Sequence, residues 1–151
     1  MERVSSLTGK PPMKDNVFID TNVLIYAYLE NVGEKTEKAL GVLDNEFAFI
    51  STQVLQEFCN TSSKKFKRSF AEVSSAVAEL VSNFYVHTNT EATIKGALIV
   101  AEKYGFSFYD SVIVSASLES GCKILYTEDL QHGQVIEDRL RIINPFKDEL
   151  S

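Results

Sequence analysis

The residues best placed to do chemistry in this sequence are four acids, Asp20, Glu57, Asp110 and Asp129. Asp20 directly follows a short apolar run that is typical of a buried strand, and Asp129 follows another such run by a few residues. Glu57 lies early in the helix predicted after the second strand, and Asp110 opens the helix predicted before the fourth strand. Since sites in parallel sheets form beyond the carboxyl ends of the strands, we expect the four carboxylates to gather at one end of the sheet.

Four converging carboxylates would need either protons or a cation. At a separation of about 5 Å and an effective dielectric constant of about 20, each pair repels by roughly 3 kcal/mol. Carboxylate ligands favour hard ions such as Mg²⁺ or Mn²⁺ over zinc. A site of this kind suits the hydrolysis of phosphate esters, because the metal activates water and neutralises the charge that develops on the phosphate.

Each acid also has a purely structural interpretation. Asp20 and Asp110 stand where helix N-caps are expected, Glu57 is compatible with an ordinary surface position, and Asp129 with a turn. A chance distribution would scatter the four acids over both ends of the sheet. Their placement at one predicted end favours the functional interpretation.

Five short apolar segments are predicted to form the strands that position these acids, and they span residues 17–19, 47–50, 85–87, 123–126 and 141–143. Helical patterns separate them. Alternation of strands and helices predicts an α/β protein with a mostly parallel central sheet covered by helices on both faces.

The helices are predicted from caps and from apolar spacing. We expect helices over 34–43, after a cap at Ser51 or Thr52, over 70–84, over 90–104, and from about Asp110 to Gly121. Gly105 is expected to end the fourth of them. The expected core faces are Val54, Leu55, Phe58 and Cys59 in the second helix, Phe70, Val73, Val77, Leu80, Val81 and Phe84 in the third, and Ile94, Ala97, Leu98 and Ala101 in the fourth.

Length and composition indicate one soluble globular domain. The chain has 151 residues, of which 44% are hydrophobic, and its apolar runs are far shorter than the ~20 residues that cross a bilayer. We expect residues 1–15 to form a flexible tail, in which Met13 is an alternative start, and 16–151 to form the domain. Cys59 and Cys122 stand apart without further ligands at metal spacing, which favours reduced cysteines in the cytoplasm.

The net charge of −6 excludes a broad basic surface, so any contact with nucleic acid must be local. The one dense basic cluster is Lys64, Lys65, Lys67 and Arg68, which surround Phe66. It has two interpretations. The cations can contact phosphates while the aromatic ring stacks on a base, or they can form a solvated helix end that complements the helix dipole.

Four segments of the sequence resemble, in order, the motifs of the PIN-domain ribonucleases. They are Phe18-Ile19-Asp20-Thr21-Asn22 with Val23-Leu24, the segment from Ser51 to Phe58 that contains Glu57, Tyr109-Asp110-Ser111 followed by Ala116, and Tyr126-Thr127-Glu128-Asp129-Leu130 with Gly133. The resemblance extends from about residue 16 to residue 146. One such motif alone is weak evidence, whereas four in the family's order are specific.

The resemblance implies a three-layer α/β/α sandwich and a Mg²⁺- or Mn²⁺-dependent endoribonuclease, similar in length to the VapC-type toxins of toxin–antitoxin pairs. It also implies a homodimer and an antitoxin that occludes the site. By motif, the metal ligands would be Asp20, Glu57, Asp110 and Asp129. Asn22 and Thr127 would orient ligands or substrate. Glu128 remains an alternative or additional acid beside Asp129.

Three other functions compete with this interpretation. A phosphatase of the haloacid-dehalogenase type would need a second Asp two positions after Asp20, where this sequence has Asn22. A dinucleotide-binding protein would need the pattern G-x-G-x-x-G after the first strand, and that pattern does not occur there. A PIN-like module that binds a partner without cutting would be marked by loss of an acid, although the overall negative charge is compatible with it. His87 and His132 are expected to be structural residues.

Overall fold

The computed structural model describes residues 15–31, 33–45 and 47–147 of the chain. These residues form one mixed sheet with six strands in the order β3-β2-β1-β4-β6-β5. The strands are β1 (Val17–Ile19), β2 (Ala48–Ser51), β3 (Tyr85–His87), β4 (Ile124–Tyr126), β5 (Val135–Ile136) and β6 (Leu140–Ile143).

The pairings of the strands are parallel except at one edge. β1 lies between β2 and β4, and β6 pairs with β4, all in the parallel sense. β5 pairs with β6 in the antiparallel sense. The expected mostly parallel sheet is therefore confirmed. The sequence reading missed β5 because a strand of two residues is too short to give a periodic pattern.

Six helices connect these strands. They are α1 (Thr21–Tyr28), α2 (Glu34–Leu43), α3 (Thr52–Lys64), α4 (Phe70–Asn83), α5 (Glu91–Tyr104) and α6 (Phe108–Glu119). Ser51 caps α3 by accepting a hydrogen bond from the Val54 N–H. Gly105 and Gly121 follow α5 and α6 with φ angles of 75° and 70°, the left-handed conformation that the sequence predicts after a helix end.

The helices form layers on the two faces of the sheet. The chain moves from β1 to β2 and β3 in one direction and returns past β1 to β4, so right-handed crossovers place α1 to α4 on one face and α5 and α6 on the other. In agreement, α1 packs against α2 and α3, α3 against α4, and α5 against α6. The fold is the expected three-layer α/β/α sandwich.

The sheet supplies the centre of the core, with Phe18, Ile19, Ile50, Leu125 and Ile142 fully buried. α6 is buried along 111–117, on all sides of the helix. Three serines lie within this buried stretch, and each hydroxyl donates to a backbone carbonyl, so none carries an unsatisfied hydroxyl.

The predicted core faces of two helices need correction. In α5 the buried residues are Thr93, Ala97 and Val100, whereas Ile94 and Leu98 are exposed by 39% and 55%. The small residues Gly96 and Ala97 allow α6 to approach closely, and this contact selects the buried face. In α4, Val73 and Leu80 are buried as expected, but Phe70 and Val81 are exposed.

The predicted tail 1–15, which includes Met13, lies outside the described residues except for Asp15. The domain boundary at residue 16 therefore stays a prediction. Among the described residues, every helix is too short or too polar to cross a membrane.

Candidate active site

Asp20 is the most buried of the four acids, with 6% of its surface exposed. It stands between β1 and α1 and is the N-cap of α1, since its Oδ1 accepts a hydrogen bond of 2.7 Å from the Thr21 N–H. Its Oδ2 accepts one of 2.7 Å from the Thr127 hydroxyl. The predicted cap role is confirmed, and it is compatible with a site because the carboxylate also faces the pocket described below.

Burial raises the pKa of Asp20 from 3.8 to about 7. The hydrogen bonds from Thr127 and Thr21 favour the ionised form and lower this pKa, whereas the charges of Asp129 and Glu57 raise it. Without a cation, Asp20 therefore exists in both protonation states near neutral pH. A cation beside the carboxylate would favour the ionised form.

Glu57 reaches the same place from the second turn of α3. Its Oε1 accepts a hydrogen bond of 2.6 Å from the Thr21 hydroxyl. Thr21 thus contacts Asp20 through its backbone and Glu57 through its side chain, and it ties the start of α1 to α3. Sequence reasoning gave Thr21 no role in the site, although it is part of the first motif.

Asp129 lies in the loop after β4. Its N–H donates to the Thr127 hydroxyl oxygen at 3.1 Å, and its Oδ2 accepts a long hydrogen bond of 3.4 Å from Asn22 Nδ2. Partial burial and the nearby charges of Asp110, Glu128 and Glu57 raise its pKa. Asn22 and Thr127 therefore both contact acids, and their role in orienting ligands or substrate stays a prediction.

Asp110 lies in the first turn of α6 and is not its N-cap. Ser107 is the cap, and its hydroxyl accepts a hydrogen bond from the Asp110 N–H. The structural interpretation of Asp110 as a cap is therefore wrong. With the cap supplied by Ser107, the Asp110 side chain is left to line the pocket.

All four acids line one pocket of about 340 Å³ at the carboxyl ends of β1 and β4. The strand order changes direction between these two strands, which is where sites form in sheets of this type. The remaining lining residues are Thr21, Asn22, Gln53, Asn60, Thr61, Tyr109 and Ile113.

The acids surround this pocket without forming a tight cage. Among the described residues, no three His, Cys, Asp or Glu side chains stand close enough together to hold a metal ion. The donor chemistry nevertheless fits Mg²⁺ or Mn²⁺, because four carboxylate side chains line one pocket and because burial, with a smaller contribution from like charges, raises the pKa of Asp20 and Asp129.

Glu128 is not among the residues that line the pocket. Its carboxylate accepts a hydrogen bond of 3.0 Å from the Tyr26 hydroxyl and forms an ion pair of 3.3 Å with Lys35. Lys35 also lies over the rings of Tyr26 and Phe146. Of the two adjacent acids in the fourth motif, Asp129 is thus the one that faces the pocket.

Comparison with known proteins agrees with this geometry. The sequence profile of the PIN domain family matches residues 17–137, which is most of the chain. The chain belongs to the PIN domain family. No curated protein sequence matches it significantly.

Solved structures with the same fold as this PIN domain include a toxin and chains from two complexes. A toxin–antitoxin complex from Klebsiella pneumoniae matches with a TM-score of 0.67 and 16% identity, over 88% of this chain and all of that chain. The sarcin-ricin-loop-cleaving toxin VapC20 of Mycobacterium tuberculosis has a TM-score of 0.62 and 18% identity, over 76% and 90%. DNA-bound VapBC from Salmonella typhimurium has a TM-score of 0.60 and 19% identity, over 85% and 97%.

The basic cluster of this PIN domain lies at the end of α3 and outside the pocket. Lys65 pairs with Glu30 at 3.4 Å and Arg68 with Glu72 at 3.9 Å, so part of the positive charge is compensated. Lys64 and Lys67 are exposed. Lys64 is the last residue of α3, in agreement with the helix-end interpretation.

Neither histidine lines the pocket of the PIN domain. His87, at the end of β3, lies 3.0 Å from Glu119, and His132 accepts a hydrogen bond from the Asn144 N–H in a loop. Both thus make the structural contacts that were expected. Cys59 and Cys122 are free thiols, and Cys122 is fully buried.

Three polar residues of α3 in the pocket were missed by sequence reasoning. Gln53, Asn60 and Thr61 have no distinctive sequence signal, but Gln53 and Asn60 are spaced so that they share one side of the helix with Glu57. Gln53 is 7% exposed, and its Nε2 donates to the Tyr109 carbonyl at 3.2 Å. Its Oε1 is buried without a hydrogen-bond partner among the described residues.

Proposed function

We propose that this PIN domain is a metal-dependent endoribonuclease that hydrolyses RNA phosphodiester bonds. The observation that carries the proposal is the convergence of Asp20, Glu57, Asp110 and Asp129 on one pocket. Of the structural interpretations of single acids, the cap at Asp20 is observed. A cap does not explain why all four acids line the same pocket.

The same four carboxylates are the residues that would hold Mg²⁺ or Mn²⁺. A bound divalent cation supplies activated water and neutralises charge on the phosphate during hydrolysis. The hydroxyl of Thr127 donates a hydrogen bond to Asp20, and that of Thr21 donates one to Glu57. These bonds orient the lone pairs of both carboxylates. Asn22 orients Asp129 in the same way without adding charge.

The RNA would leave the pocket along α3. Glu57, Asn60 and Lys64 are spaced so that they lie on one side of this helix, and Asn60 extends the pocket toward the basic cluster. We propose that the cluster of Lys64, Lys65, Lys67 and Arg68 contacts RNA phosphates there. Such contacts draw RNA to a chain whose overall charge is negative.

We further propose that the protein is the toxin of a toxin–antitoxin pair in the cytoplasm. Two of the structures that share its fold support this proposal, since one is a toxin–antitoxin complex and the other is a toxin that cleaves the sarcin-ricin loop. A cognate antitoxin would silence the enzyme by covering the acidic pocket.

The proposal includes a homodimer that forms through the outer face of α5. Ile94, Leu98 and Ile99 are exposed on this helix by 39%, 55% and 65%. Adjacent exposed aliphatic side chains of this kind mark an interaction surface. A second copy of the chain would bury them.

The nuclease is tested by incubating purified protein with total cellular RNA in Mg²⁺, in Mn²⁺ and in EDTA, beside Asp110→Asn prepared identically. We expect metal-dependent cleavage by the wild type and none by the variant. Equal cleavage by both proteins would overturn the proposed site.

The net charge of −6 favours one alternative, a silent PIN domain that only binds a protein partner. Thermal unfolding with and without Mg²⁺ separates the two functions. The nuclease is expected to be stabilised by the metal and to lose this response in Asp110→Asn. A silent module would unfold at the same temperature in both buffers.

A further inference from the structure

Two consecutive aromatic residues stand exposed beside the acidic pocket. Phe108 and Tyr109 occupy the first turn of α6, directly before Asp110, and are exposed by 39% and 68%. Their rings meet edge to face with centroids 5.4 Å apart. Tyr109 lines the pocket together with the four acids. A large ring kept in water at this position is available to a ligand that enters the pocket.

The backbone of Tyr109 is held in place from the opposite helix. Gln53 of α3 is buried, and its side-chain amide donates to the Tyr109 carbonyl at 3.2 Å. This bond fixes the distance between α3 and the first turn of α6. The ring of Tyr109 is therefore carried on a rigid support, as a stacking platform requires.

The neighbouring pocket wall is polar and uncharged. Asn60 and Thr61 line it from α3, one turn beyond Glu57. An amide and a hydroxyl offer both donors and acceptors. The pocket thus combines an aromatic face, a hydrogen-bonding wall and an anionic centre, which match the base plane, the base edge and the cation-bound phosphate of a nucleotide.

We propose that Tyr109 stacks on an unpaired nucleobase next to the phosphate that is cut, and that Asn60 and Thr61 bind the edge of that base. The inference rests on the proposed nuclease function and assigns the residues of this chain that contact a base beside the cut phosphate. A base inside a duplex presents no free face to an aromatic side chain, whereas bases in loops do. Tyr109, Asn60 and Thr61 then determine which site is cut.

A protein partner on the same aromatic residues is the main competing occupant. A second pocket of about 250 Å³ on the other side of Gln53 is lined by Phe108 and Tyr109 together with Ile94 of the exposed α5 face. Phe108 and Ile94 do not line the acidic pocket, whereas Tyr109 does. Because Tyr109 lines the same pocket as the acids, a nucleotide is favoured over a protein as the ligand of its ring.

The test measures RNA binding separately from cleavage. Every protein carries Asp129→Asn, which prevents cleavage and lowers the negative charge of the pocket. Fluorescence anisotropy with labelled single-stranded RNA of about ten nucleotides gives the affinity in Mg²⁺. The variants are Tyr109→Ala, Tyr109→Phe and, as a matched control, Phe70→Ala, which removes an exposed aromatic ring on α4.

We expect Tyr109→Ala to weaken binding by about five- to 150-fold, the range of one base–aromatic stack. Tyr109→Phe keeps the ring and Phe70→Ala leaves the pocket intact, so both should bind within about twofold of the parent. A duplex of the same sequence should bind more weakly than the single strand. A 2-aminopurine base in the RNA should be quenched by the parent and not by Tyr109→Ala.

Unchanged affinity of Tyr109→Ala, or equal binding of the duplex, would overturn the base-stacking site and leave the nuclease proposal intact. A changed molecular mass of Tyr109→Ala in light scattering would assign the ring to a protein contact instead and overturn the proposal. Failure of the parent protein to bind this RNA would overturn the base-stacking site, and if the wild type also fails to cleave total RNA, it would refute the proposed function itself. These results are distinguishable because the total-RNA assay reports cleavage independently.

Discussion

The hydroxyl of Thr127 donates a hydrogen bond of 2.7 Å to Asp20 Oδ2 and accepts one of 3.1 Å from the Asp129 N–H. The bond to Asp20 joins the loop after β4 to the end of β1. The last residues of these two strands, Ile19 and Tyr126, are paired in the sheet, so both strands end at the same position along it. One buried hydroxyl thereby fixes the positions of two acids that are far apart in sequence.

Replacing Thr127 by Val should reduce metal affinity and cleavage by about 10- to 100-fold, the usual effect of losing a group that orients a metal ligand. The methyl group preserves the shape of the side chain but removes the donor that lowers the pKa of Asp20. The pKa of Asp20 then rises further, and the cleavage rate should fall most steeply at low pH. Cleavage measured across Mg²⁺ concentration and pH tests this.

Thr127→Ser is the matched control, since it keeps the hydroxyl at the same position. It should retain most of the activity and the wild-type pH profile. A Val variant that matches the wild type in both measurements would show that the hydroxyl does not orient Asp20.

The raised pKa of Asp20 predicts the pH dependence of stability without metal. Between 3.8 and about 7 the folded protein holds a proton on Asp20 that the unfolded chain has released. The free energy of unfolding must therefore fall as the pH rises through this interval, by up to ~4 kcal/mol from this group. Urea unfolding in EDTA at a series of pH values measures the slope.

Asp20→Asn removes the titrating group and should flatten this slope, whereas Asp44→Asn, an exposed acid at the end of α2, should not. Mg²⁺ should also flatten the slope for the wild type, because the cation stabilises the ionised carboxylate. Equal slopes for wild type and Asp20→Asn would assign the pH dependence to other groups.

The sequence predicted the positions of the acids well because parallel strands bring their carboxyl ends to one edge. Once 17–19 and 123–126 are recognised as strands, Asp20 and Asp129 must lie near each other. The link from Thr21 to Glu57 could not be predicted, since it depends on where α3 lies relative to α1. The same holds for Gln53 and Tyr109, whose contact joins two helices far apart in sequence.

The buried face of α5 shows a second limit. Thr93, Gly96 and Ala97 are less apolar than Ile94 and Leu98, yet Thr93 and Ala97 are the residues that are buried. The spacing of apolar residues identifies a helix. The same pattern predicts that the most hydrophobic face of the helix is the buried one. Here the orientation follows from close packing against α6, together with the hydrogen bond that the Thr93 hydroxyl donates to Glu119 and the one that the Thr93 carbonyl accepts from Ser115.

The exposed apolar residues of α5 predict that a single charged residue introduced among them would disrupt the proposed homodimer. Leu98→Glu should convert the proposed dimer into a monomer, because a carboxylate at the centre of an apolar interface would be buried without a partner. Light scattering after size exclusion measures the mass. Val81→Glu is the control, since Val81 is similarly exposed but lies on α4. An unchanged mass of Leu98→Glu would exclude α5 from the interface.

Because α5 and α6 approach each other closely, we expect that a small substitution between them, away from the active site, would destabilise the folded protein. A Cβ at Gly96 would lie 2.6 Å from Ser115 Oγ, and this hydroxyl is held by a buried hydrogen bond of 2.8 Å to the Thr93 carbonyl. Gly96→Ala should therefore destabilise the protein by about 1–3 kcal/mol despite the better helix propensity of Ala. Urea unfolding at constant pH measures this change.

Ser115→Ala removes the atom that the new methyl group would strike, since the nearest remaining atom is the Ser115 Cβ at 3.8 Å. The double variant should therefore be more stable than the sum of the two single changes predicts, by about 1 kcal/mol or more. Additive free energies would mean that the two helices adjust their separation without cost. The spacing between α5 and α6 would then not be what selects the buried face of α5.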